Sequence, residues 1–317
     1  MAPTDDFKQF YEGELRVILE SLNARRMTVF GFGFTATASA LGFGGLVATE
    51  SYFLGPSAVP LLFLTALATL VVAWYQWGKL RRDFKHEVVG RVVKFLDPEL
   101  RYLPADKIDQ EKFEAGSIFR QRIDRYEGED CVWGTLGVTK FEFCELKVQH
   151  QSRGESSKRS HWTTIFKGLY FVADFNKHFQ SHTVVLPDAL EGALGFLGQA
   201  LQSVNPMRDD LVRLEDPEFE REFVVYGGDQ VEARYILSPA LMQRMLALKH
   251  KVGGKVYFAF AGSEVHVAMA TTRNRFEPKV FKSLLNCDDV AAHLEDLRLI
   301  IGLVEDLNLN TRIWSKA

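Results

Sequence analysis

The chain has 317 residues, 47% apolar and 25% charged, with a formal net charge of −3 at neutral pH. Removing the 4 basic and 6 acidic residues before Gly78 leaves 34 and 35, so the larger part is nearly neutral and carries no field that would steer it to nucleic acid. Cys131, Cys144 and Cys287 are far apart and odd in number, which argues against a disulfide framework or a zinc motif and suits a reducing compartment.

Taken in order, Thr4 to Arg26 reads as an amphipathic helix, with Phe7, Phe10, Tyr11, Leu15, Val17, Ile18 and Leu22 mostly at three- and four-residue spacings and Thr4 or Asp5 as cap. Acidic residues are as frequent in it as basic ones, so docking on the cytosolic domain is expected before a place on the headgroups. Met27 to Ala48 then carries no charged residue, His or Pro, and is long enough to cross about 30 Å of hydrocarbon. It is too long, and preceded by too many polar residues, to be the core of a signal peptide. A second run, about 57–77, is also uncharged. Arg25, Arg26, Lys79, Arg81 and Arg82 flank the pair, while the connecting turn holds only Glu50. The positive-inside rule therefore puts both ends in the cytoplasm and the turn outside, with Trp74, Tyr75 and Trp77 as the inner aromatic belt. Gly31, Thr35, Ala38, Gly42 and Gly45 form a small-residue row on the first span, matched by Ala66, Thr69 and Ala73 on the second. The absence of an ionisable residue in either run disfavours transport by a lone chain.

Lys79 to Leu96 continues as a helix that Asp97-Pro98 stops. Pro104 to Phe119 reads as a short helix plus loop. From Asp130 the apolar period falls to two, and 132–134, 141–148, 165–172 and 183–186 read as strands. A polar loop, 149–160, separates two of them. Pro187 opens a helix to Leu201, and the whole unit is expected to be a partly open barrel capped by that helix. Further on, a short helix follows Pro217 and a turn lies at Gly227-Gly228. Ser238-Pro239 caps a helix that Gly253-Gly254 ends. Residues 256–260 and 265–269 form a hairpin across Gly262-Ser263. Phe276-Glu277-Pro278 is expected to start a short helix, and the last helix runs from about Asp288 with Val290, Leu294, Leu297, Ile301 and Val304 inward.

The fold class is thus an α+β cytosolic region anchored by a two-helix transmembrane hairpin. Its divisions are a cytosolic helix (1–26), the hairpin (27–77, spans about 27–48 and 57–77), a juxtamembrane helical linker (78–128), and an α+β domain (129–317) with subdomains at 129–206 and 207–317 as one option.

The block from Val225 to Pro239 resembles the DUF3137 domain family, bacterial proteins of unknown function. So do Phe166-Lys167-Gly168-Leu169, 173–177, Phe276-Glu277-Pro278 and the closing Val304 to Trp314. The resemblance implies a bacterial membrane protein with a paired-helix anchor, and supplies no catalytic residue. Asp229, Glu232, Arg234, Asn308, Asn310 and Trp314 are the polar residues of these blocks whose role is open. Asp229 reads as a turn residue, and Glu232 with Arg234 as a surface pair.

Candidate chemistry is sparse. Asp174, His178 and His182 recur every four residues, the spacing of three ligands on one helical face, but strand and turn sequence surrounds them and a surface turn is the expectation. Cys144 has no histidine near it in sequence and reads as a buried thiol. No GxSxG, HExxH, GxxxxGK[ST] or CxxC is present. Arg153, Lys158 and Arg159, with Arg120, Arg122 and Arg125 upstream, are the best contact residues for anionic headgroups or a partner.

The reading is a non-enzymatic, membrane-anchored binding or scaffolding module of the bacterial inner membrane, with both termini and the main domain cytoplasmic. Its partners are the lipid bilayer and a protein partner or second copy, with no nucleic acid, cofactor or metal. Alternatives are a membrane-tethered hydrolase built on Asp229 and Glu232 or on Asp174, His178 and His182, and an accessory subunit of an envelope or transport assembly.

Overall fold

The computed structural model describes residues 4–48, 58–153, 160–175, 177–188, 210–272, 276–279, 281–307 and 309. The chain divides into two units, one of Met1–Leu96 with Arg275–Asp296, the other of Asp97–Asn274 with Leu297–Ala317.

The first unit is helical. Helix α1 (Asp5–Phe10), a π turn (Tyr11–Leu15) and α2 (Arg16–Ala48) run on without a break. Extended Thr4 is the N-cap, and Asp5 and Asp6 lie in the first turn, where their charge meets the positive end of the helix dipole. Helix α3 (Ala58–Phe84), a second π turn (Lys85–Val89) and α4 (Gly90–Leu96) form the returning rod. Both π turns have one cause. Phe7, Tyr11, Leu15 and Leu19 are buried at steps of four, as are Leu80, Phe84, Val88 and Val92. In an α-helix of 3.6 residues per turn each such step drifts by about 40°. A single π turn, with its i→i+5 bonds, takes up the drift and keeps the four side chains on one face. Phe10 stacks on Phe95 with ring centroids 4.4 Å apart, and Phe7 meets Phe95 edge-on at 5.8 Å. The N-terminal helix is therefore docked on protein, and the surface it meets is α4.

Helices α2 and α3 pack side by side. On α3 the small residues Ala66, Thr69 and Ala73 are less exposed than their neighbours, as the row requires. On α2 the expected row is met at Gly42, where a Cβ would lie 3.7 Å from Leu62 of α3, and not at its other described members. Gly31, Thr35, Ala38 and Gly42 are exposed, nothing lies within 4 Å of a Cβ built on Gly31, and the buried small residue is Ala36 at 5% exposure. The less exposed positions are Phe32, Gly33, Ala36 and Ser39, shifted along the helix from Gly31, Thr35 and Ala38. Among the described residues one helix is long and apolar enough to cross a membrane, the continuous rod Pro60–Leu96.

The segment 276–279 has no helical assignment, so the short helix expected at Phe276 does not form. Phe276 is buried and its neighbour Glu277 is held by side-chain bonds. Those contacts fix the chain without a helical ladder. Helix α9 (Cys287–Ile301) follows, and the five residues expected to face inward from Val290 to Val304 are buried.

Among the described residues the second unit is a nine-stranded antiparallel sheet of order β1-β2-β3-β4-β9-β8-β5-β7-β6. In chain order the strands are β1 (Arg101–Leu103), β2 (Arg125–Leu136), β3 (Thr139–Arg153), β4 (Ser160–Asp174), β5 (Thr183–Pro187), β6 (Asp210–Val212), β7 (Phe223–Gly227), β8 (Val256–Ala261) and β9 (Glu264–Ala270). The sheet is open, not a barrel, because β1 and β6 stand at opposite ends of the order. The capping helix expected from Pro187 to Leu201 lies outside the described residues beyond 188. The described helices of the unit are α5 (Gln110–Ala115), α6 (Pro217–Glu222), α7 (Gln230–Ile236), α8 (Pro239–Val252) and α10 (Leu303–Asp306). Ser238 caps α8 by accepting from the Leu241 N–H, and Gly253 ends it in the left-handed conformation at φ 64°.

Central strands are buried on both faces, so β9 reads Val265, His266, Val267, Ala268 and Met269 with scarcely any exposure. Gly168 allows β4 to approach β9, since a Cβ there would lie 2.1 Å from the Met269 carbonyl oxygen. Contrary to the expectation of free thiols, Cys131 and Cys144 form a disulfide, with Cα atoms 4.3 Å apart on neighbouring strands. Sequence separation hides the pairing, which strand register creates.

A polar pair, His266 with Tyr170, lies among the central strands. His266 is fully buried, with Nδ1 3.2 Å from the Tyr170 hydroxyl, which itself lies 3.4 Å from the Phe113 carbonyl oxygen. Gly116 closes over the pair, and a Cβ there would come within 2.6 Å of that hydroxyl. Nε2 makes no hydrogen bond, and the nearest carboxylate, Glu264, is 3.8 Å away. Burial, and then the positive charge of Lys112, hold the imidazole pKa down at about 4 against 6.5. A base depressed on folding binds its proton only in the unfolded chain between those values, so its stabilising neutrality is complete above pH 6.5 and lost as pH falls toward 4. The loss amounts to about 3 kcal/mol. Chemical denaturation of the full chain in detergent across this range is expected to show that decline, and His266→Gln to flatten it; an identical slope in the variant would assign the decline to other groups.

Candidate functional site

Alternation along neighbouring strands sets charged side chains on one face of the sheet. Glu127 and Glu129 on β2 stand opposite Lys147 and Glu145 on β3, and Lys147 stands opposite Lys167 on β4. They line a groove of about 400 Å³ together with Thr271. Glu129 facing Glu145 is a like-charge pair, which a sheet tolerates at a cost. A β-bulge between Glu129 and Val132 adds Asp130 to the group. Asp130 takes φ 59°, is buried, and accepts a hydrogen bond from the Tyr102 hydroxyl on β1. Burial first, and then the Asp130 charge, push the Tyr102 phenol far above its ordinary value, so it stays a donor.

Carboxylate oxygens of Glu129, Asp130 and Glu145 lie within 4.8 Å of one another. Hard oxygen ligands in that arrangement are of the type a divalent cation takes. Lys147, 3.7 Å from the Glu127 carboxylate, gives the groove mixed sign. The grouping is invisible in the sequence because Glu129 and Glu145 meet only through strand register.

The described residues among those expected from the sequence make the following contacts. Asp229 is the N-cap of α7, accepting from the Val231 and Glu232 N–H groups at 2.7 and 3.0 Å. Glu232 turns back to the loop before β5, where it accepts from the Gln180 and Ser181 N–H groups at 3.0 and 2.9 Å and from the Ser181 hydroxyl at 3.1 Å. Arg234 donates to the Arg213 carbonyl and to Gln230 and is not paired with Glu232 in these bonds. The block is thus a cap and a clamp on a loop. Asp174, His178 and His182 are not gathered: His178 meets Ser263 at the hairpin tip at 3.3 Å, while His182 meets Arg120 at 2.9 Å. Arg122 lies 2.9 Å from the Asp124 carboxylate, and Arg125 stacks on Trp162 at 4.3 Å. Arg153 ends β3 opposite Ser160. Lys158, Arg159, Asn308, Asn310 and Trp314 lie outside the described residues.

In the helical unit Glu277 forms an ion cluster with Arg81, which donates from both Nε and Nη2, and with Lys85 at 3.2 Å. Burial raises the Glu277 pKa, but the Arg81 bonds and the Lys85 charge outweigh it and hold the carboxyl below its ordinary value. Lys85 is 4% exposed, the more buried partner.

Residues 164–309 match the model of a family described as a protein of unknown function, DUF3137, and the chain resembles that family. The matched segment contains Asp229, Glu232 and Glu277 and leaves out Glu127 to Lys147 of the groove. No curated protein matches the chain. Among solved structures it is similar to one described as the crystal structure of the mycobacterial trehalose monomycolate transport factor A, TtfA, at 13% identity and a TM-score of 0.32, covering 70% of this chain and 95% of that one.

Glu277→Gln removes the charge that Arg81 and the buried Lys85 share. It is expected to destabilise the helical unit by about 3 kcal/mol or more. The readout is a lowered melting temperature of the full chain in detergent, and an unchanged melt would show that the cluster contributes nothing to stability.

Proposed function

We propose that the protein is a membrane-anchored binding module, in which α2 and α3 cross the bilayer as a paired hairpin and the sheet unit contacts a protein partner or the inner-leaflet lipid surface. One observation carries the reading. Leu61, Phe63, Leu64, Leu67, Leu70, Val71, Trp74 and Tyr75 are all exposed along α3, and Phe34 and Leu41 along α2. An apolar surface that continues turn after turn is far larger than a water-soluble monomer exposes, and a bilayer is the solvent that fits it. The second span is read from the uncharged run Met27–Ala48, packed against α3.

The flanking Arg25, Arg26, Lys79, Arg81 and Arg82, against a turn without Lys or Arg, support a cytoplasmic location for both ends of the hairpin and for the sheet unit. The Cys131–Cys144 bond argues the other way, because structural disulfides persist in oxidising compartments. Orientation is therefore the decisive measurement. The full chain is expected to stay with membranes through an alkaline carbonate wash, and its sheet unit to survive protease added to intact spheroplasts. Release by the wash would remove the anchor; digestion from outside would reverse the orientation.

In this reading lipid contact falls to Arg153, Lys158 and Arg159, because each cation near an anionic leaflet contributes about 1 kcal/mol. In nanodiscs, amide exchange at the strand ends 149–153 and 160–164 is expected to slow with anionic lipid relative to neutral lipid. Equal exchange in both would exclude this contact and leave a protein partner as the occupant of the module.

A further inference from the structure

Phe281 is 88% exposed, in a segment of the helical unit that has no regular secondary structure. It does not stand alone. Its ring centroid is 5.9 Å from that of Phe30, which belongs to the uncharged run beginning at Met27. Beyond it, the Leu284 N–H donates to Asn23 at 3.3 Å, and the Tyr11 hydroxyl donates to the Leu285 carbonyl at 2.8 Å. The segment therefore runs along the N-terminal rod, from Phe30 back past Asn23 toward Tyr11. Phe281 is at the end that enters the apolar run, and Leu285 at the end among charged residues.

Helix geometry gives the depth. Phe30 lies three residues beyond Met27, about 4.5 Å along the axis at 1.5 Å per residue. That level is the headgroup–acyl boundary, where apolar side chains of interfacial segments sit about 5–10 Å deep. The polar side of the boundary is marked by Arg26, whose guanidinium lies 5.2 Å from the Phe30 ring, and by exposed Lys282 next to Phe281.

We propose that Phe281 and Lys282 form an interfacial membrane contact, with the Phe281 ring inserted at the acyl boundary and the Lys282 ammonium among anionic headgroups. Phe281 and Lys282 would thus touch the bilayer directly, as a further point of attachment besides the two helices. The occupant is lipid because Phe281 continues the apolar surface of α2 at Phe30 with no polar residue between them. This inference rests on the reading of α2 and α3 as membrane helices.

The test uses the full chain in proteoliposomes, with Cys287 replaced by Ser and an environment-sensitive fluorophore on Phe281→Cys, and separately on Leu67→Cys in α3. Quenching is compared between aqueous iodide and lipids brominated at shallow or deep chain positions. The label at 281 is expected to respond to shallow bromine and to escape iodide, and the label at 67 to respond to deep bromine. Iodide quenching at 281 with bromine quenching at 67 would overturn the contact and leave the anchor standing. Shielding of 281 from both quenchers would overturn it as well, by placing protein over the ring. Iodide quenching at 67 would overturn the anchor itself and the contact with it.

Discussion

The ion cluster of Glu277 with Arg81 and Lys85 is the constraint on which the helical unit depends. Lys85 lies in the π turn just past the apolar part of α3, and it is nearly inaccessible. A buried ammonium is tolerable only beside a carboxylate that stays ionised, which the depressed pKa of Glu277 ensures. The carboxylate comes from nearly two hundred residues later in the chain. Satisfying Lys85 therefore requires the chain to leave the sheet after β9 and lay 276–296 on the helices. Buried Phe276 and the Tyr11 and Asn23 bonds then fix the rest of that segment.

The two π turns belong to the same solution. Each rod buries apolar side chains every four residues, a spacing that a straight α-helix cannot keep on one side. Widening one turn restores the alignment and places Tyr11 and Lys85, one from each rod, where their polar ends reach the 276–296 segment. Polar bonds and aromatic stacking from Phe7 and Phe10 to Phe95 together make the part of the rods beyond the apolar runs a packed protein core. That core, not the paired apolar helices, holds the position of Phe281.

Features with a local cause were legible in the sequence. The uncharged runs, the stop at Asp97-Pro98, the Ser238-Pro239 start, the Gly253 end and the 256–269 hairpin each follow from a few adjacent residues. What failed depends on partners far away. The row Gly31, Thr35 and Ala38 has the right spacing for a helix interface, but spacing does not say which of several faces meets the neighbour. Residues β1 and β6 are three each, too short for a period to show. Phe276-Glu277-Pro278 looks like a helix start because a carboxylate near Pro is a common first turn, whereas its carboxylate is spent on Arg81 and Lys85. Asp229 caps α7 and Glu232 bonds to the loop before β5, a partner some fifty residues earlier that the expected surface pair with Arg234 does not reveal.

The groove shows how far a single inserted residue can reach. Glu129 opposite Glu145 sets the register on one side of the bulge, and Val132 opposite Phe143 sets it on the other. Without the extra residue, Cys131 would stand opposite Phe143 and Asp130 opposite Cys144. With it, Cys131 comes level with Cys144 and the disulfide closes, while Asp130 is freed from the ladder to take a positive φ and receive the Tyr102 hydroxyl. The same shift brings the Asp130 carboxylate beside those of Glu129 and Glu145. Covalent closure of the two strands and crowding of three carboxylates are thus two results of one backbone irregularity.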